Sequence, residues 1–158
     1  MRGPLLDEDK VMQICFVTDN LEKSAKWFAD LLGESVPKIG KAAEPEEAQA
    51  TYRGKPATLG CRLVLFKFGN IDVEFLEPDA QPSAWRDFLE KNGPSVHHIA
   101  FKTRNLTEKT RYLESRGLPL LQRGEFDGGG GRYAYFDTEA HLGTLVELLE
   151  FDKDRVPQ

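Results

Sequence analysis

Two short apolar stretches recur along the chain in the same residue order, each running into a polar break. Gln13-Ile14-Cys15-Phe16-Val17-Thr18-Asp19-Asn20-Leu21 lines up with His98-Ile99-Ala100-Phe101-Lys102-Thr103-Arg104-Asn105-Leu106. In both, a strand-like run gives way to Thr-x-Asn-Leu, a helix entry in which the asparagine oxygen can cap an orphan backbone N–H. After the first entry Leu21, Ala25, Phe28 and Leu32 recur at helical spacing, and Gly33 ends the run. After the second, Leu106, Thr110 and Leu113 share a face with Tyr112 beside it, and Gly117 ends that run. Each copy closes on a matched strand, Val73-Glu74-Phe75-Leu76-Glu77 against Val146-Glu147-Leu148-Leu149-Glu150. Duplication of one supersecondary unit is the economical explanation.

The elements between these landmarks follow from turn chemistry. Arg62–Phe68 predicts a strand that turns at Gly69-Asn70 into Ile71–Glu77. Arg132–Asp137 is its counterpart in the second copy, and short strands are expected at Val36–Ile39 and Leu118–Gln122. The polar stretch Gly40–Lys55 fits either a loop or a short helix. After a linker at Pro78–Pro82, Ser83 caps a helix carrying Trp85, Phe88 and Leu89 that stops near Asn92-Gly93. The expectation is one domain over residues 1–158: a first module at about 11–77, a linker helix at about 83–92, and a second module at about 96–151.

Composition narrows the class. With 158 residues, 40% hydrophobic and 30% charged, the chain can bury a core of its own. A net charge of −5 gives no basic footprint for nucleic acid and no polybasic membrane patch. No apolar run reaches the roughly 20 residues of a membrane helix, and the first ten residues lack a signal-peptide core. A cytoplasmic location is the expectation. Cys15 and Cys61 each lie in an apolar run and read as buried thiols rather than a disulfide.

Four polar residues stand at repeat-related positions. Gln13 and His98 open the two units, and Glu74 and Glu147 close them. Strand alternation points each glutamate away from its apolar neighbours. If those neighbours pack under the helices, the glutamates face the concave side, and a symmetric duplication gathers all four groups. Two carboxylates, one imidazole and one amide oxygen suit zinc, nickel, cobalt, manganese or iron(II), with positions left open for water or substrate. A lone strand Glu is usually solvated and a lone His usually a satisfied core residue; equivalence under the repeat is what lifts these four. His97 is expected on the opposite face from His98, and His141 on the surface. Gly128-Gly129-Gly130-Gly131 lacks the helix and Lys-Ser/Thr of a phosphate loop and predicts a mobile hairpin loop over the site. Lys102, Arg104, Arg111 and Arg116 make a basic cluster, most often a solvated face, that could also meet an anionic cofactor tail.

From about Val11 to Phe151 the sequence resembles the vicinal oxygen chelate superfamily of glyoxalases, bleomycin-resistance proteins and dioxygenases. The resemblance is to the methylmalonyl-CoA epimerase branch. It is carried by Leu76-Glu77-Pro78, Ser83, Phe88-Leu89, Gly93, His97-His98-Ile99-Ala100-Phe101 and Gly143-Thr144-Leu145-Val146-Glu147-Leu148. It implies an α+β fold: two βαβββ modules forming an open mixed β-barrel around one divalent metal, held by Gln13, Glu74, His98 and Glu147. The epimerases carry His at the position of Gln13 and Gln at that of Glu74. The order Gln, Glu, His, Glu is instead that of some glyoxalase I enzymes. The epimerases' catalytic Glu before the strand at Arg62 aligns with Thr58.

The activity so implied is metal-dependent movement of a proton next to a thioester or ketone carbonyl, as in methylmalonyl-CoA epimerase. Glu147 and Glu74 would be the two proton-transfer groups, and the partners a small acyl-CoA or glutathione adduct and a second copy of the chain. A glyoxalase I-like lactoylglutathione lyase is the alternative enzyme. A metal-free drug-binding protein is the alternative of another class; it has no need of the four ligands. Oxygen-dependent ring cleavage fits less well, because it resembles a two-His-one-carboxylate pattern and this set has one His.

Overall fold

The computed structural model describes residues 10–126 and 130–154; Asp127 and the first two glycines of the glycine run, Gly128 and Gly129, lie outside them. The first copy of the repeat forms β1 (Val11–Val17) and α1 (Leu21–Leu32). Asn20 caps α1 by accepting from the Lys23 N–H at 3.0 Å, and Gly33 ends it in the left-handed region at φ 71°. The polar stretch resolves into β2 (Gly40–Lys41), a single helical turn α2 (Pro45–Ala48) and a small hairpin, β3 (Thr51–Tyr52) and β4 (Lys55–Pro56). The strand expected at Val36–Ile39 does not form. Val36 and Ile39 are exposed, with no neighbouring strand to pair, and pairing begins only at Gly40 with Leu63. β5 (Cys61–Phe68) and β6 (Ile71–Pro78) make the predicted hairpin.

The linker helix α3 (Ala84–Asn92) leads to β7 (Ser95–Lys102), α4 (Leu106–Ser115), β8 (Leu120–Phe126), β9 (Gly131–Phe136), the one-turn α5 (Glu139–Leu142) and β10 (Leu145–Phe151). Ser83 caps α3 as expected. Asn105 does not cap α4. It sits in the left-handed region at φ 59°, and the Leu106 N–H donates instead to Glu150 Oε2 at 2.5 Å. His141 is exposed on α5.

Among the described residues, the ten strands form one mixed sheet in the order β2-β5-β6-β1-β7-β10-β9-β8-β3-β4, curled into a half-barrel. The order reads outward from the centre as two copies of one plan. β1 pairs with β6 in parallel, β7 with β10 in parallel, and the antiparallel β1–β7 pair joins the copies. The β3–β4 hairpin of the first copy crosses to pair with β8 of the second.

Helices α1 and α4 cover the convex face, while α3 packs Trp85, Phe88 and Leu89 against Cys15, Val17 and Leu76 on the opposite face. Leu21, Ala25 and Ala29 of α1 pack on Val64 and Phe66, with Phe28, Val73 and Phe75 half-buried around them. Leu32 falls off this four-residue row and is exposed. Leu106 and Leu113 of α4 pack with Ala134, Phe136, Val146 and Leu148. Each helix start is tied down by a carboxylate from the closing strand of its own copy. Glu77 Oε2 accepts from the Leu21 N–H at 2.7 Å and pairs with Arg62 at 2.9 Å. Glu150 accepts from the Leu106 N–H and pairs with Arg132 at 2.7 Å. A carboxylate at a helix N-terminus meets both the orphan N–H groups and the positive end of the dipole. Of the basic cluster, Arg104, Arg111 and Arg116 are exposed, while Lys102 pairs with Asp154 at 3.1 Å.

Candidate metal centre

Because Val73 and Phe75 pack under α1, and Val146 and Leu148 under α4, strand alternation turns Glu74 and Glu147 to the concave face. Both are buried, as is His98. The four repeat-related donors converge on the His98 imidazole. Its Nε2 lies 2.8 Å from Gln13 Oε1, 3.0 Å from Glu147 Oε2 and 4.0 Å from Glu74 Oε1. They stand on the four central strands β1, β6, β7 and β10; Gln13, Glu74 and Glu147 line a cleft of about 660 Å³, and His98 lies fully buried beside them. Ala42, Leu59, Leu63 and Tyr135 are among its apolar walls, and Glu44, Glu47, Asp72, Lys41 and Lys67 bring charge to it. Thr58 is not among the lining residues; Glu44 and Glu47, from α2 and the residue before it, are.

Electrostatics mark the floor as short of positive charge. Burial, reinforced by the neighbouring Glu147 carboxylate, pushes Glu74 up to about 7 against the pull of His98. Burial alone would lower His98, but the fields of Glu147 and Glu74 outweigh it and raise it. Glu147 Oε2 is buried and has no directed hydrogen bond; its close polar neighbour is His98 Nε2 at 3.0 Å. An orphaned carboxylate oxygen beside a second carboxylate, an amide oxygen and an imidazole nitrogen is the donor set of a divalent cation. The residues present therefore fit the metal that the family resemblance implies.

Two neighbours of this set escaped the sequence. The first is His97. Strict alternation puts it on the far face, but the β1–β7 register steps from Cys15↔His98 to Phe16↔Val96, so His97 is the extra residue of a bulge. Both rings therefore meet Tyr135, at 5.2 Å for His97 and 4.9 Å for His98. His97 Nε2 donates to the Ala84 carbonyl at 3.2 Å, which leaves its Nδ1 to accept from His98 Nδ1–H at 2.8 Å. Burial, and then the neighbouring His98, holds His97 well below the usual imidazole range, so it stays neutral. This relay fixes the proton of a neutral His98 on Nδ1 and leaves the Nε2 lone pair for a cation. The second is Cys15. Its sulfur lies with a Glu74 oxygen and a His98 nitrogen, all within 4.8 Å of one another. It is two residues from Gln13 on the same strand face, which was the available signal.

The family model for the Glyoxalase/Bleomycin resistance protein/Dioxygenase superfamily matches residues 12–136. An uncharacterised protein of Bacillus subtilis, YqjC, is 34% identical over 89 residues, a match spanning 56% of this chain and 64% of that protein's length. Mouse mitochondrial methylmalonyl-CoA epimerase is 24% identical over 148 residues, 92% of this chain and 75% of the relative. Among solved structures, methylmalonyl-CoA epimerase of Mycobacterium tuberculosis superposes with a TM-score of 0.63 at 18% identity, over 99% of this chain and 93% of that one. A Streptomyces coelicolor methylmalonyl-CoA epimerase variant in complex with 2-nitronate-propionyl-CoA gives 0.63 at 20% identity, over 94% and 98%. At these identities the likeness to the solved structures is one of fold. Among the described residues, no helix is long and apolar enough to cross a membrane.

Proposed function

This chain belongs to the Glyoxalase/Bleomycin resistance protein/Dioxygenase superfamily, and from that premise we propose that it is a divalent-metal-dependent epimerase or isomerase acting beside a thioester or ketone carbonyl. The observation that carries the reading is the convergence of Gln13, Glu74 and Glu147 on His98 Nε2 beneath an open cleft. These four residues would hold the cation, which when bound supplies Lewis-acid polarisation of a carbonyl oxygen. A metal-free binding protein has no use for three acceptor oxygens crowded about one imidazole.

The chain's own residues supply the rest. His97 holds the His98 ring through its Nδ1, and Tyr135 packs on that ring. The apolar cleft walls, among them Ala42, Leu59 and Leu63, offer a packing surface for a substrate. Epimerisation removes a proton from one face of that carbon and returns one on the other, so two acid–base groups must flank it. Glu74 and Glu147 are related by the repeat and approach His98 Nε2 from the two copies, which supports assigning them these two roles. In the metal-free protein burial raises Glu74 to about 7. A carboxylate held by a cation is a weaker base, so the reading requires one of the two to detach during turnover.

Methylmalonyl-CoA is the first substrate to test, by analogy with the epimerase relatives. The Gln, Glu, His, Glu order makes a glutathione hemithioacetal the second. The experiment is metal analysis of the purified protein, followed by proton exchange from a panel of both substrate types in deuterated water. Metal-dependent exchange that vanishes in Glu147→Gln supports the reading; absence of bound metal and of exchange across the panel refutes it. Glu74→Gln separates the two roles of Glu74. Exchange of only one stereoisomer supports two bases, whereas full activity in both directions moves the second base to Glu44 or Glu47 on the cleft wall.

A further inference from the structure

The duplicated site is not symmetric, and the asymmetry lies in its second layer of residues. On one side the sheet sets three residues abreast on β6, β1 and β7: Glu74, Cys15 and His98 are consecutive Cα partners. On the other it sets Glu147, Ala100 and Gln13 abreast on β10, β7 and β1. Partners abreast in a sheet project to the same face, so each middle residue looks into the floor between two donors. Ala100 offers no donor atom. Cys15 offers sulfur, completely buried, with a Glu74 oxygen and a His98 nitrogen all within 4.8 Å of one another. It lies in the half whose opening residue is Gln13, a neutral amide where the other half has an imidazole.

We propose that Cys15 is a further ligand of the metal centre, adding a thiolate to the Gln13, Glu74, His98 and Glu147 set and selecting a borderline-soft ion such as zinc or cobalt over manganese or magnesium. The assignment rests on the metal-site reading above. Three observations meet on it. The sulfur is flanked in register by Glu74 and His98 and shares one ion-sized cluster with them; Glu147 Oε2, buried without a hydrogen bond, lies 3.0 Å from the His98 ring of that cluster; and the amide of Gln13 is the weakest donor of the set. On binding, the S–H bond breaks, the sulfur–metal bond forms, and the thiol proton leaves to buffer. Soft thiolate raises affinity for zinc and cobalt and contributes little toward manganese or magnesium.

The experiment uses the full-length protein stripped of metal and titrated with cobalt(II), read by absorbance. A near-ultraviolet thiolate-to-cobalt charge-transfer band is expected in the wild type and in Cys61→Ser, and its loss in Cys15→Ala, which installs the residue of the symmetry-related position. Zinc affinity in Cys15→Ala should fall by at least the roughly tenfold that loss of a supporting group costs, with manganese affinity unchanged. Wild-type protein that binds cobalt without the band overturns the assignment, as does a band lost in Cys61→Ser and kept in Cys15→Ala. Failure to take up cobalt or zinc at all overturns the metal-site reading itself and the assignment with it. Zinc titration of the wild type in weak buffer covers the case of a variant that does not fold. X-ray absorption at the zinc edge of that sample should show a sulfur neighbour; a zinc shell of nitrogen and oxygen alone overturns the assignment.

Discussion

Removing the negative charge at Glu74 should stabilise the metal-free protein at neutral and alkaline pH, although it removes one of the two repeat-related carboxylates. The side chain is buried, and its carboxyl is raised from an ordinary 4.5 to about 7. Between those values the native state holds a proton that the unfolded chain has released, so folding is favoured by acid. Stability therefore falls as pH climbs from about 4.5 through 7, then levels off once both states are ionised. The difference of 7 − 4.5 = 2.5 units, at about 1.4 kcal/mol per unit, puts the cost of the buried charge at about 3 kcal/mol above neutrality. His98 acts in the same direction, since its raised folded value means a contribution lost as pH rises past its ordinary 6.5. Urea denaturation of chelator-treated wild type and Glu74→Gln from pH 5 to 9 measures this. The variant should match the wild type near pH 5 and exceed it by about 3 kcal/mol near pH 8, and saturating zinc should remove the fall in wild-type stability with rising pH, because zinc displaces the protons of the buried groups. Parallel curves for the two proteins across pH 5–9 would falsify the account of Glu74 as an uncompensated buried charge.

Four further outcomes are expected. His98→Ala loses the imidazole of the quartet, and calorimetric titration with zinc should show no saturable uptake; one equivalent bound at wild-type strength would exclude His98 as a ligand. His97→Phe fills the ring's volume but removes the Nδ1 acceptor that fixes His98, so metal affinity should drop about 10- to 100-fold with the unfolding midpoint little changed; unaltered affinity would show the relay to be idle. Arg132→Met strands the buried Glu150 carboxylate, whose side chain is 4% exposed, and should cost about 3–5 kcal/mol in urea denaturation; a loss below about 1 kcal/mol would mean that the pair adds nothing net. Phe28→Ala should cost about 3 kcal/mol, the low end for such truncations, because the ring is half-buried against Phe66 and Phe75; no measurable change would remove it from the core.

The duplicated elements were legible because duplication doubles the signal. Gln13–Leu21 and His98–Leu106 each carry a weak pattern, but their agreement fixed β1, α1, β7 and α4. The placement of Glu74 and Glu147 on the concave face followed from alternation and the apolar residues beside them. What stayed hidden depends on pairing partners distant in sequence. Alternation along β7 cannot reveal the bulge at His97, which exists only in the register with β1. Nothing near Asn105 announces the left-handed conformation, φ 59°, in which its side chain makes no cap. Val36–Ile39 has strand-like composition but no partner edge, and the β3–β4 hairpin finds one only in the second copy. Cys15 was visible as a buried thiol, yet its neighbours Glu74 and His98 come from two other strands.

The order of strands divides the molecule into a part that must stay and a part free to change. All four donors stand on the central strands β6-β1-β7-β10, which hold one another through continuous ladders. Much of the cleft's rim comes from the other elements, among them β2, α2 and the tip of β8. Insertions, deletions or recombination in those rim segments would redraw the mouth of the cleft without moving a donor atom. One scaffold can thus keep its reactive centre while exchanging the molecules it admits, and a designer seeking new selectivity should randomise residues 40–52 before touching the floor.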